Sequence, residues 1–380
     1  MGKSKLKVMT IIGTRPEIIR LACVMQELDK YVNQIIVHTG QNYDYELNEI
    51  FFKELEIRKP DYFMNVDTSS LGNVLGGILI KAEEIMRAER PDAVLILGDT
   101  NSSIAGIMAK RLKIPIYHME AGNRCFDFNV PEEINRRIID HIADFNLVYT
   151  EHARRHLLSE GLQHRRIYLT GSPMYEVLHK YEHRIMSSTI LEELGLADQK
   201  YFVVSAHREE NVDNPAHLRS ILTVLNTLAK EYDVPVIVST HPRTRKRLES
   251  VSDVEMDPRV QFLKPFGFFD YVHLEMHSLC SISDSGTIAE EAAVMKFPAV
   301  TIREAIERPE AMDTGSIIMT GLDADVVLAS IALVMDKHGT DAKRQIPAEY
   351  EMENTGERVV KLVMGTAKLS NGWWGIDNMK

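Results

Sequence analysis

IPIYHMEAGNRCFDFNVPEEINRR, residues 114–137, contains in order an apolar strand, a polar loop and the start of a helix. The predicted strand covers residues 114–119, and Glu120 follows it directly. Pro131 suits the first turn of a helix, where a missing backbone N–H costs nothing, so Glu132 is expected at the opening of that helix. A strand that leads through a loop into a helix is the repeating unit of an α/β fold.

The same unit recurs along the chain. Short apolar runs, each followed by a segment of helical period, lie at residues 8–12, 35–38, 93–97, 115–119 and 145–149. After a polar, helix-like bridge, further strands are predicted at 201–205, 234–239, 260–263, 279–283 and 299–302. This alternation is typical of parallel sheets with helices on both faces. The sequence therefore predicts two Rossmann-like, doubly wound α/β domains that face a cleft, over residues 1–180 and 181–365. A tail at 366–380 is expected to pack back on the first domain.

Composition excludes several classes of protein. The 380 residues are 44% hydrophobic and 26% charged, which allows two domains with cores of their own. The net charge of −11 argues against nucleic acid or an anionic membrane as a partner. Cys23, Cys125 and Cys280 form no CxxC, so neither a disulfide framework nor a structural zinc site is predicted. No apolar run reaches the roughly 20 residues that span a bilayer, and we expect a cytoplasmic protein.

Polar residues stand where the predicted strands end. Ligands bind beyond the carboxyl ends of the strands in doubly wound sheets. Asp99 follows the strand at 93–97, Glu120 follows the next one, and Glu132 opens the helix beyond the loop. His207 follows the strand at 201–205. Carboxylates at such positions can transfer protons or stabilise a cationic transition state, so Asp99, Glu120 and Glu132 are candidate catalytic groups.

A second group of residues suggests phosphate binding. Ser285, Gly286 and Thr287 end a strand and open a helix, where backbone N–H groups and two hydroxyls can receive a diphosphate. An ordinary capping turn explains the same three residues equally well. Glu291, one turn further, can accept hydrogen bonds from ribose hydroxyls. Arg15 and Arg308 are candidate charge partners of the diphosphate, although a lone arginine is more often a surface residue.

Missing motifs narrow the function further. The chain contains no GxGxxG, GxxxxGK[ST] or GxSxG, so dinucleotide-binding, P-loop and hydrolase functions have no motif to support them. It also lacks HExxH, and no metal site is predicted. Cys125 has no evident base, which favours a loop or specificity role over a nucleophilic one. Trp373 and Trp374 of the tail are expected to be structural.

A set of short motifs stands in a fixed order along the chain. They are GTRPE at 13–17, GDT at 98–100, EAG at 120–122, PEE-N-R at 131–136, AHRE-N at 206–211, SDSG at 283–286, EEA at 290–292 and ERPE at 307–310. In this order, and over about residues 6–365, the sequence resembles the non-hydrolysing UDP-N-acetylglucosamine 2-epimerase family. The resemblance implies a fold of the glycosyltransferase-B type, a homodimer, and neither a metal nor a nicotinamide cofactor.

The resemblance also implies a reaction and roles for particular residues. The family expels UDP from C1 of an N-acetyl sugar to give a 2-acetamidoglycal, then adds UDP back with protonation of C2 from the other face. Asp99, Glu120 and Glu132 match its catalytic acids, and His207 matches a histidine near the diphosphate or leaving group. The matched UDP-sugar contacts are Arg15, Arg20, Ser285, Gly286, Thr287, Glu291 and Arg308, with Tyr271 at the position of an aromatic residue against uracil and Phe266 nearby.

Departures from the family pattern bear on regulation and substrate. Asn42 and Glu209 replace residues that, in some members, touch a second, activating UDP-N-acetylglucosamine, so we expect no such activation. Residues 122–131, together with 40–45, resemble the capsule and O-antigen branch. That branch converts UDP-2-acetamido-2,6-dideoxy-L-talose to UDP-N-acetyl-L-fucosamine, which is the predicted reaction; conversion of UDP-N-acetylglucosamine to UDP-N-acetylmannosamine is the alternative. A glycosyltransferase of the same fold and a non-catalytic nucleotide-sugar sensor are further interpretations.

Overall fold

The structure is a computed structural model that describes residues 5–40, 45–248, 251, 254–338 and 346–376, with the backbone alone at 45–49 and 242–243. These residues form two compact units. The first unit contains the described parts of 1–177 and 349–380, and the second contains those of 178–348. Asn42 lies outside the described residues.

The first unit is built on a parallel sheet in the order β3-β2-β1-β4-β5-β6-β7. Its strands are β1 Lys7–Ile12, β2 Asn33–His38, β3 Tyr62–Phe63, β4 Ala93–Leu97, β5 Ile116–Met119, β6 Phe145–Val148 and β7 Ile167–Leu169. All residues of β4 are buried, as expected for an apolar central strand covered on both faces. The strand order reverses between β1 and β4, which places the topological switch point there.

The second unit repeats this arrangement with one strand fewer in the described chain. Its strands are β8 Phe202–Ser205, β9 Val236–Ser239, β10 Val260–Leu263, β11 Ser281–Ser283, β12 Ala299–Thr301 and β13 Ile318–Met319. They pair in parallel in the order β10-β9-β8-β11-β12-β13, so the switch point lies between β8 and β11. The predicted fold class is therefore confirmed: two Rossmann-like, doubly wound α/β domains of the glycosyltransferase-B type.

Helices connect the strands and cover the sheets. Their bounds are α1 Arg15–Tyr31, α2 Tyr45–Glu54, α3 Leu71–Glu89, α4 Ala105–Arg111, α5 Pro131–Ile142, α6 Glu151–Ser159, α7 Met174–Lys180, α8 Glu182–Met186, α9 Ile190–Leu194, α10 Glu209–Val212, α11 Pro215–Tyr232, α12 Pro242–Leu248, α13 Phe268–Met276, α14 Ile288–Met295, α15 Pro309–Asp313, α16 Ala324–His338 and α17 Thr355–Trp373. Across the described ranges, none of these helices combines the length and apolarity needed to cross a membrane.

Each unit has its own apolar core. In the first, Ile11 and Ile96 of the sheet meet Ile78 of α3 and Ile139 of α5. Gly106 of α4 permits this packing, because a Cβ there would lie 2.5 Å from the Cδ1 atom of Ile139. In the second unit, the core joins β8, β11 and β12 to α11 and α16. The rigid sheets fix the positions of the loops at their carboxyl edges, where the candidate residues lie.

The C-terminal segment differs from the expected domain boundary. The sequence assigned residues up to 365 to the second domain, whereas the chain returns to the first unit at Glu349. The reason is that α17 packs along α1 of the first unit. The N–H of Gly356 in α17 also donates to the Glu176 side chain of α7 at 2.8 Å. At the end of α17, the indole N–H of Trp374 donates to Asp144 at 2.6 Å. The Trp374 ring centroid also lies 4.2 Å from the guanidinium of Arg166.

Candidate functional site

The carboxyl ends of β1, β4 and β5 carry candidate residues of the first unit. Arg15 opens α1 after β1, Asp99 follows β4, and Glu120 follows β5. β1 and β4 flank the switch point of this sheet, where doubly wound folds bind their ligands. Glu132 is the second residue of α5 and is half-buried. The first sheet therefore presents three of the four predicted catalytic residues along one edge.

Glu120 is held in a strained backbone conformation by its surroundings. Its φ of +64° lies in the left-handed region, which residues other than glycine rarely adopt. The carboxylate forms an ion pair with Arg20 of α1, and the two side chains are 11% and 4% exposed. Gly122 completes the turn with a φ of +81°. Only glycine fits there, because a Cβ would lie 2.4 Å from the carbonyl oxygen of Ala153. The structure thus places Arg20, predicted as a UDP-sugar contact, directly against a candidate acid.

Asp99 is oriented by the helix that carries Glu132. The Nε and Nη2 atoms of Arg136 donate to one carboxylate oxygen of Asp99 at 2.9 and 2.6 Å. The side-chain amide of Asn135 donates to the backbone carbonyl of Asp99 at 3.0 Å. Arg136 also donates to Glu133 at 3.1 Å. The PEE-N-R motif therefore fixes Asp99 as well as placing Glu132.

Glu133 holds the loop that precedes α5. Its fully buried carboxylate accepts a hydrogen bond from the backbone N–H of Cys125 at 3.1 Å. It also forms an ion pair with Arg137 at 2.9 Å. The Cys125 thiol lies 3.3 Å from the same carboxylate, and burial raises the pKa of that thiol above its ordinary value. A raised pKa disfavours the reactive thiolate. These contacts support a loop role for Cys125.

Glu17 occupies the backbone donors of the first turn. Its carboxylate accepts hydrogen bonds from the N–H groups of Gly13 and Thr14, the latter at 2.8 Å, and from the hydroxyl of Thr100. Burial raises the pKa of Glu17 to about 7. Because both amides already have a protein acceptor, Arg15 is the group of this turn best suited to a phosphate. The Arg15 guanidinium lies 5.8 Å from the ring centroid of Phe51.

In the second unit, Asp284 joins the carboxyl ends of β8 and β11. It is fully buried and accepts hydrogen bonds from the backbone N–H groups of His207, at 3.0 and 3.1 Å, and of Arg208, at 3.0 Å. The side-chain amide of Asn211 donates to it at 3.0 Å. The SDSG and AHRE-N motifs therefore form one structure at the switch point of the second sheet.

The turn before α14 keeps both of its predicted interpretations open. The hydroxyls of Ser285 and Thr287 lie 2.9 Å apart, and the N–H of Thr287 donates to the Ser285 hydroxyl at 3.3 Å, as in a capping turn. A Cβ at Gly286 would lie 2.8 Å from a carboxylate oxygen of Glu307 and 3.7 Å from Arg208. Glycine is therefore required for these charged groups to approach the turn.

Arg308 and Glu307 belong to a buried ionic network. The Arg308 guanidinium is 2% exposed and lies 2.8 Å from the carboxylate of Glu290. Glu307 pairs with Arg303 at 2.6 Å and lies 3.7 Å from Arg208. The EEA and ERPE motifs thus meet beside the turn that contains Gly286. Arg308, predicted as a diphosphate partner, already has a carboxylate partner in this network.

The predicted nucleoside contacts surround α13 and α14. Phe266 and Tyr271 pack against an apolar cluster that includes Tyr201. Burial raises the pKa of the Tyr271 hydroxyl well above its ordinary value. Glu291 is buried. The pKa of the neighbouring Glu275 is raised, first by the burial of Glu275 itself and then by the negative charge of Glu291. The structure therefore brings Tyr271 and Glu291 into one polar cluster at the edge of the second sheet.

Sequence reasoning missed several residues that shape these edges. They are Glu17, His118, Glu133, Arg136, Asp140, Arg208, Asp284 and Glu307. Most of them lie inside the quoted motifs, and this position in the sequence could have identified them as functional residues. His118 and Asp140 carried no such signal beyond a polar residue in an apolar strand and in an amphipathic helix. Over the described ranges, no group of three or more His, Cys, Asp and Glu side chains is arranged to hold a metal ion.

The chain is similar in sequence and in fold to proteins named as UDP-N-acetylglucosamine 2-epimerases. Residues 26–364 match the family model described as UDP-N-acetylglucosamine 2-epimerase. The chain is similar to the structure of a UDP-N-acetylglucosamine 2-epimerase from Rickettsia bellii, with 46% identity, a TM-score of 0.90, and coverage of 97% of this chain and 100% of that one. It is also similar to a Methanocaldococcus jannaschii UDP-GlcNAc 2-epimerase in complex with UDP-GlcNAc and UDP, with 31% identity, a TM-score of 0.88, and coverage of 95% and 100%.

One relative has a different substrate in its name. The UDP-2,3-diacetamido-2,3-dideoxy-D-glucuronate 2-epimerase of Pseudomonas aeruginosa is 34% identical over 338 residues, which cover 87% of this chain and 93% of the relative. The relatives therefore share epimerisation at C2 of a UDP-sugar in their names, and they differ in the sugar.

Proposed function

Because the chain belongs to the UDP-N-acetylglucosamine 2-epimerase family, it is a non-hydrolysing UDP-sugar 2-epimerase, and we propose that Asp99, Glu120 and Glu132 are its catalytic acids. One observation carries the assignment of Asp99 and Glu120, and Glu132 is assigned from its place in the PEE-N-R motif. Asp99 and Glu120 stand at the ends of neighbouring strands beside the switch point, and each is held by a buried arginine. Fixed carboxylates of this kind suit proton transfer, whose rate depends on placing the group within hydrogen-bond reach of the proton.

The proposed reaction has two balanced steps. In the first, a carboxylate takes the proton from C2 while the bond between C1 and the UDP oxygen breaks, which leaves a C1–C2 double bond and free UDP. In the second, a carboxylic acid returns a proton to the other face of C2, and the UDP oxygen bonds to C1 again. The sugar is neither oxidised nor reduced. Carboxylates also stabilise the positive charge that develops near C1 as UDP departs.

Residues of the second unit would bind the nucleotide. We assign His207 as a contact of the leaving diphosphate. Ser285, Gly286 and Thr287 would donate hydrogen bonds to the same diphosphate. Glu291 would accept from the ribose hydroxyls, and Tyr271 and Phe266 would lie against the base. Arg15, Arg20 and Arg308 are the proposed cationic contacts; the acid partners of Arg20 and Arg308 reduce the net charge that those two can offer.

We propose UDP-2-acetamido-2,6-dideoxy-L-talose as the substrate and UDP-N-acetyl-L-fucosamine as the product. The supporting feature is the loop that follows Glu120, on which the rings of Phe126 and Phe128 are each 66% exposed. Such rings can contact a methyl group at C6. UDP-N-acetylglucosamine is the second candidate, because it is the substrate in the names of several relatives.

Incubation with each candidate UDP-sugar in deuterated water tests both proposals. Proton NMR at C2 would show exchange of hydrogen for deuterium and formation of the epimer on the true substrate. Exchange without UDP release into solution distinguishes epimerisation from hydrolysis. Transfer of the sugar to an added acceptor would indicate a glycosyltransferase, and binding without exchange would indicate a sensor.

We also propose that the enzyme is a cytoplasmic homodimer that supplies capsule or O-antigen synthesis. Cys23, Cys125 and Cys280 are free thiols in the structure, which suits a reducing compartment. Light scattering coupled to gel filtration would give the mass of the assembly. A monomer of about the chain mass of 43.2 kDa would contradict the dimer.

A further inference from the structure

We propose that His118 is a buried imidazolium that, together with Asp140, positions the turns bearing Asp99 and Glu120 for proton transfer. His118 and Asp140 are positioning residues, since the structure gives them contacts to these turns and both side chains are fully buried. The inference rests on the proposed function of the two acids. It adds to that function an explanation of how the ends of β4 and β5 are held in fixed positions relative to each other.

Both ring nitrogens of His118 face hydrogen-bond acceptors. Nε2 lies 2.8 Å from the carbonyl oxygen of Gly98, and Nδ1 lies 2.9 Å from a carboxylate oxygen of Asp140. A carbonyl oxygen can only accept, so Nε2 carries a proton. Asp140 also accepts from Arg124 at 2.7 Å and from the N–H of Gly122 at 3.1 Å. A carboxylate surrounded by donors accepts from Nδ1 as well, and the ring then carries both protons.

The charges around this pair are consistent with an ionised Asp140. Burial alone would raise the pKa of Asp140, but hydrogen bonds and charges from His118 and Arg124 lower it below its ordinary value. Arg124 has a second acid partner, Glu160, whose carboxylate lies 2.7 Å from Nη2. Glu160 also lies 3.4 Å from Arg137 and 3.6 Å from the exposed His141, and Arg137 has the buried Glu133 as a second partner at 2.9 Å. Asp140, Glu160 and Glu133 thus face His118, Arg124 and Arg137, so a protonated His118 does not leave an uncompensated charge in the protein interior.

The network reaches both catalytic turns through the backbone. Gly98, whose carbonyl accepts from His118, directly precedes Asp99. Gly122, whose N–H donates to Asp140, lies two residues after Glu120. Gly98 and Gly122 adopt positive φ without strain, but Glu120 also has a positive φ, which is unfavourable for a residue other than glycine, so its turn depends on outside contacts to keep this conformation. A neutral imidazole has one N–H and could donate to only one of the two acceptors.

The protonation state can be measured in the unmodified chain. Selective ¹⁵N labelling of histidine, read by two-dimensional NMR at pH 7 to 8, should show one histidine with both ring nitrogens protonated. Sequential assignment in the unmodified chain gives this signal to His118, and its absence from a folded His118→Gln checks the assignment. A neutral tautomer for His118 would overturn the proposal whatever the variants do, which covers the case in which a variant fails to fold.

The kinetic test compares His118→Gln and Asp140→Asn with His273→Gln. His273 is a buried histidine of the second unit whose Nδ1 lies 2.9 Å from a backbone carbonyl, so its variant controls for loss of a buried ring. We expect both test variants to lower kcat on the order of 100-fold, the effect of misplacing a reacting group by about 1 Å, with little change in KM or UDP binding. The control should lose stability without losing kcat.

The outcomes separate this inference from the proposed function. If the unmodified chain epimerises a UDP-sugar and His118→Gln is folded with unchanged kcat, His118 is only a core residue and the inference fails. If the unmodified chain gives no exchange at C2 with either candidate sugar while NMR shows the imidazolium, the proposed function fails and the protonation of His118 stands as a structural feature.

Discussion

The Nδ1 atom of His207 lies 3.2 Å from a carboxylate oxygen of Asp284, and the same carboxylate accepts a hydrogen bond from the backbone N–H of His207. One buried acid therefore fixes both the main chain and the ring of this histidine. A carboxylate facing Nδ1 favours the tautomer with its proton on that nitrogen, and the Ser205 hydroxyl lies 3.5 Å from the same nitrogen. The His207 side chain is 41% exposed, so its ring is accessible to a substrate.

Asp284→Asn should lower kcat by at least about tenfold, because the amide no longer favours the tautomer with its proton on Nδ1. It should also destabilise the fold by about 1–3 kcal/mol, since an amide N–H then faces a backbone donor. The informative measurement is a double-mutant cycle with His207→Asn. If Asp284 acts through His207, the double variant turns over no more slowly than His207→Asn alone. Additive losses would show an independent role.

Replacing either candidate acid by its amide should reduce turnover on the order of 100-fold or more, the scale of a positioned acid–base group. UDP binding should change little, as isothermal titration can show. Asp99→Asn is the cleaner variant, because Arg136 keeps Glu133 as a partner. Glu120→Gln leaves the buried Arg20 less well paired, so its stability must be measured beside its rate. Glu151→Gln, which removes the carboxylate of a half-buried pair with Arg154, is the matched control. Near-normal turnover in both test variants would remove these acids from the mechanism.

The sequence predicted the sheets well because their central strands are apolar and mostly buried. Residues 93–97 and 260–263 coincide with β4 and β10, and the other predicted strands differ by at most two residues at an end. The strands β3, β7 and β13 were missed. They are two or three residues long, lie outside the central strands and are mostly half-buried, so they leave no apolar run or alternation to detect.

The sequence predicted that the candidate residues stand at strand ends, but it did not predict which side chains pair there. Strand ends can be located from local pattern, and Asp99, Glu120, His207 and Ser285 all stand at such ends. That Arg20 pairs with Glu120 depends on contact between residues 100 positions apart, which no local spacing reveals. The distinction between Glu132 and the buried Glu133 likewise depends on which face of α5 meets Cys125.

Glu17 should make stability fall as pH rises. Its folded pKa of about 7 exceeds the ordinary value of 4.5, so its contribution is fully present below pH 4.5 and is lost as pH rises through 7. At about 1.4 kcal/mol per pKa unit, the free energy of unfolding relative to Glu17→Gln should drop by about 3 kcal/mol over this interval. Urea unfolding at pH 5 and pH 8 measures the difference between the two proteins. Glu84→Gln, at an exposed position, is the control for loss of a carboxylate as such.

Trp374→Ala should destabilise the first unit without slowing turnover. The substitution removes the indole hydrogen bond to Asp144 and the ring that stacks on Arg166. The loss should be about 1–3 kcal/mol, the combined scale of a hydrogen bond and a partly buried cation–π contact. Chemical unfolding and steady-state rates measured on the same preparation check this, with Met364→Ala on the exposed face of α17 as the control. A slower reaction at unchanged stability would assign the tail a catalytic role.

The loop after Glu120 should determine the choice of sugar. Phe126 and Phe128 lie 5.9 and 5.2 Å, from ring centroid to guanidinium, from Arg137, which anchors their rings while leaving them exposed. A methyl at C6 gains apolar contact there, whereas a hydroxyl loses water without gaining a partner. The wild-type chain should therefore have the higher kcat/KM on the 6-deoxy UDP-sugar, and replacing both rings by alanine should cut that preference by about 1–3 kcal/mol. The rate on UDP-N-acetylglucosamine should hardly change in the variant. A wild-type preference for UDP-N-acetylglucosamine would instead establish the second candidate as the substrate.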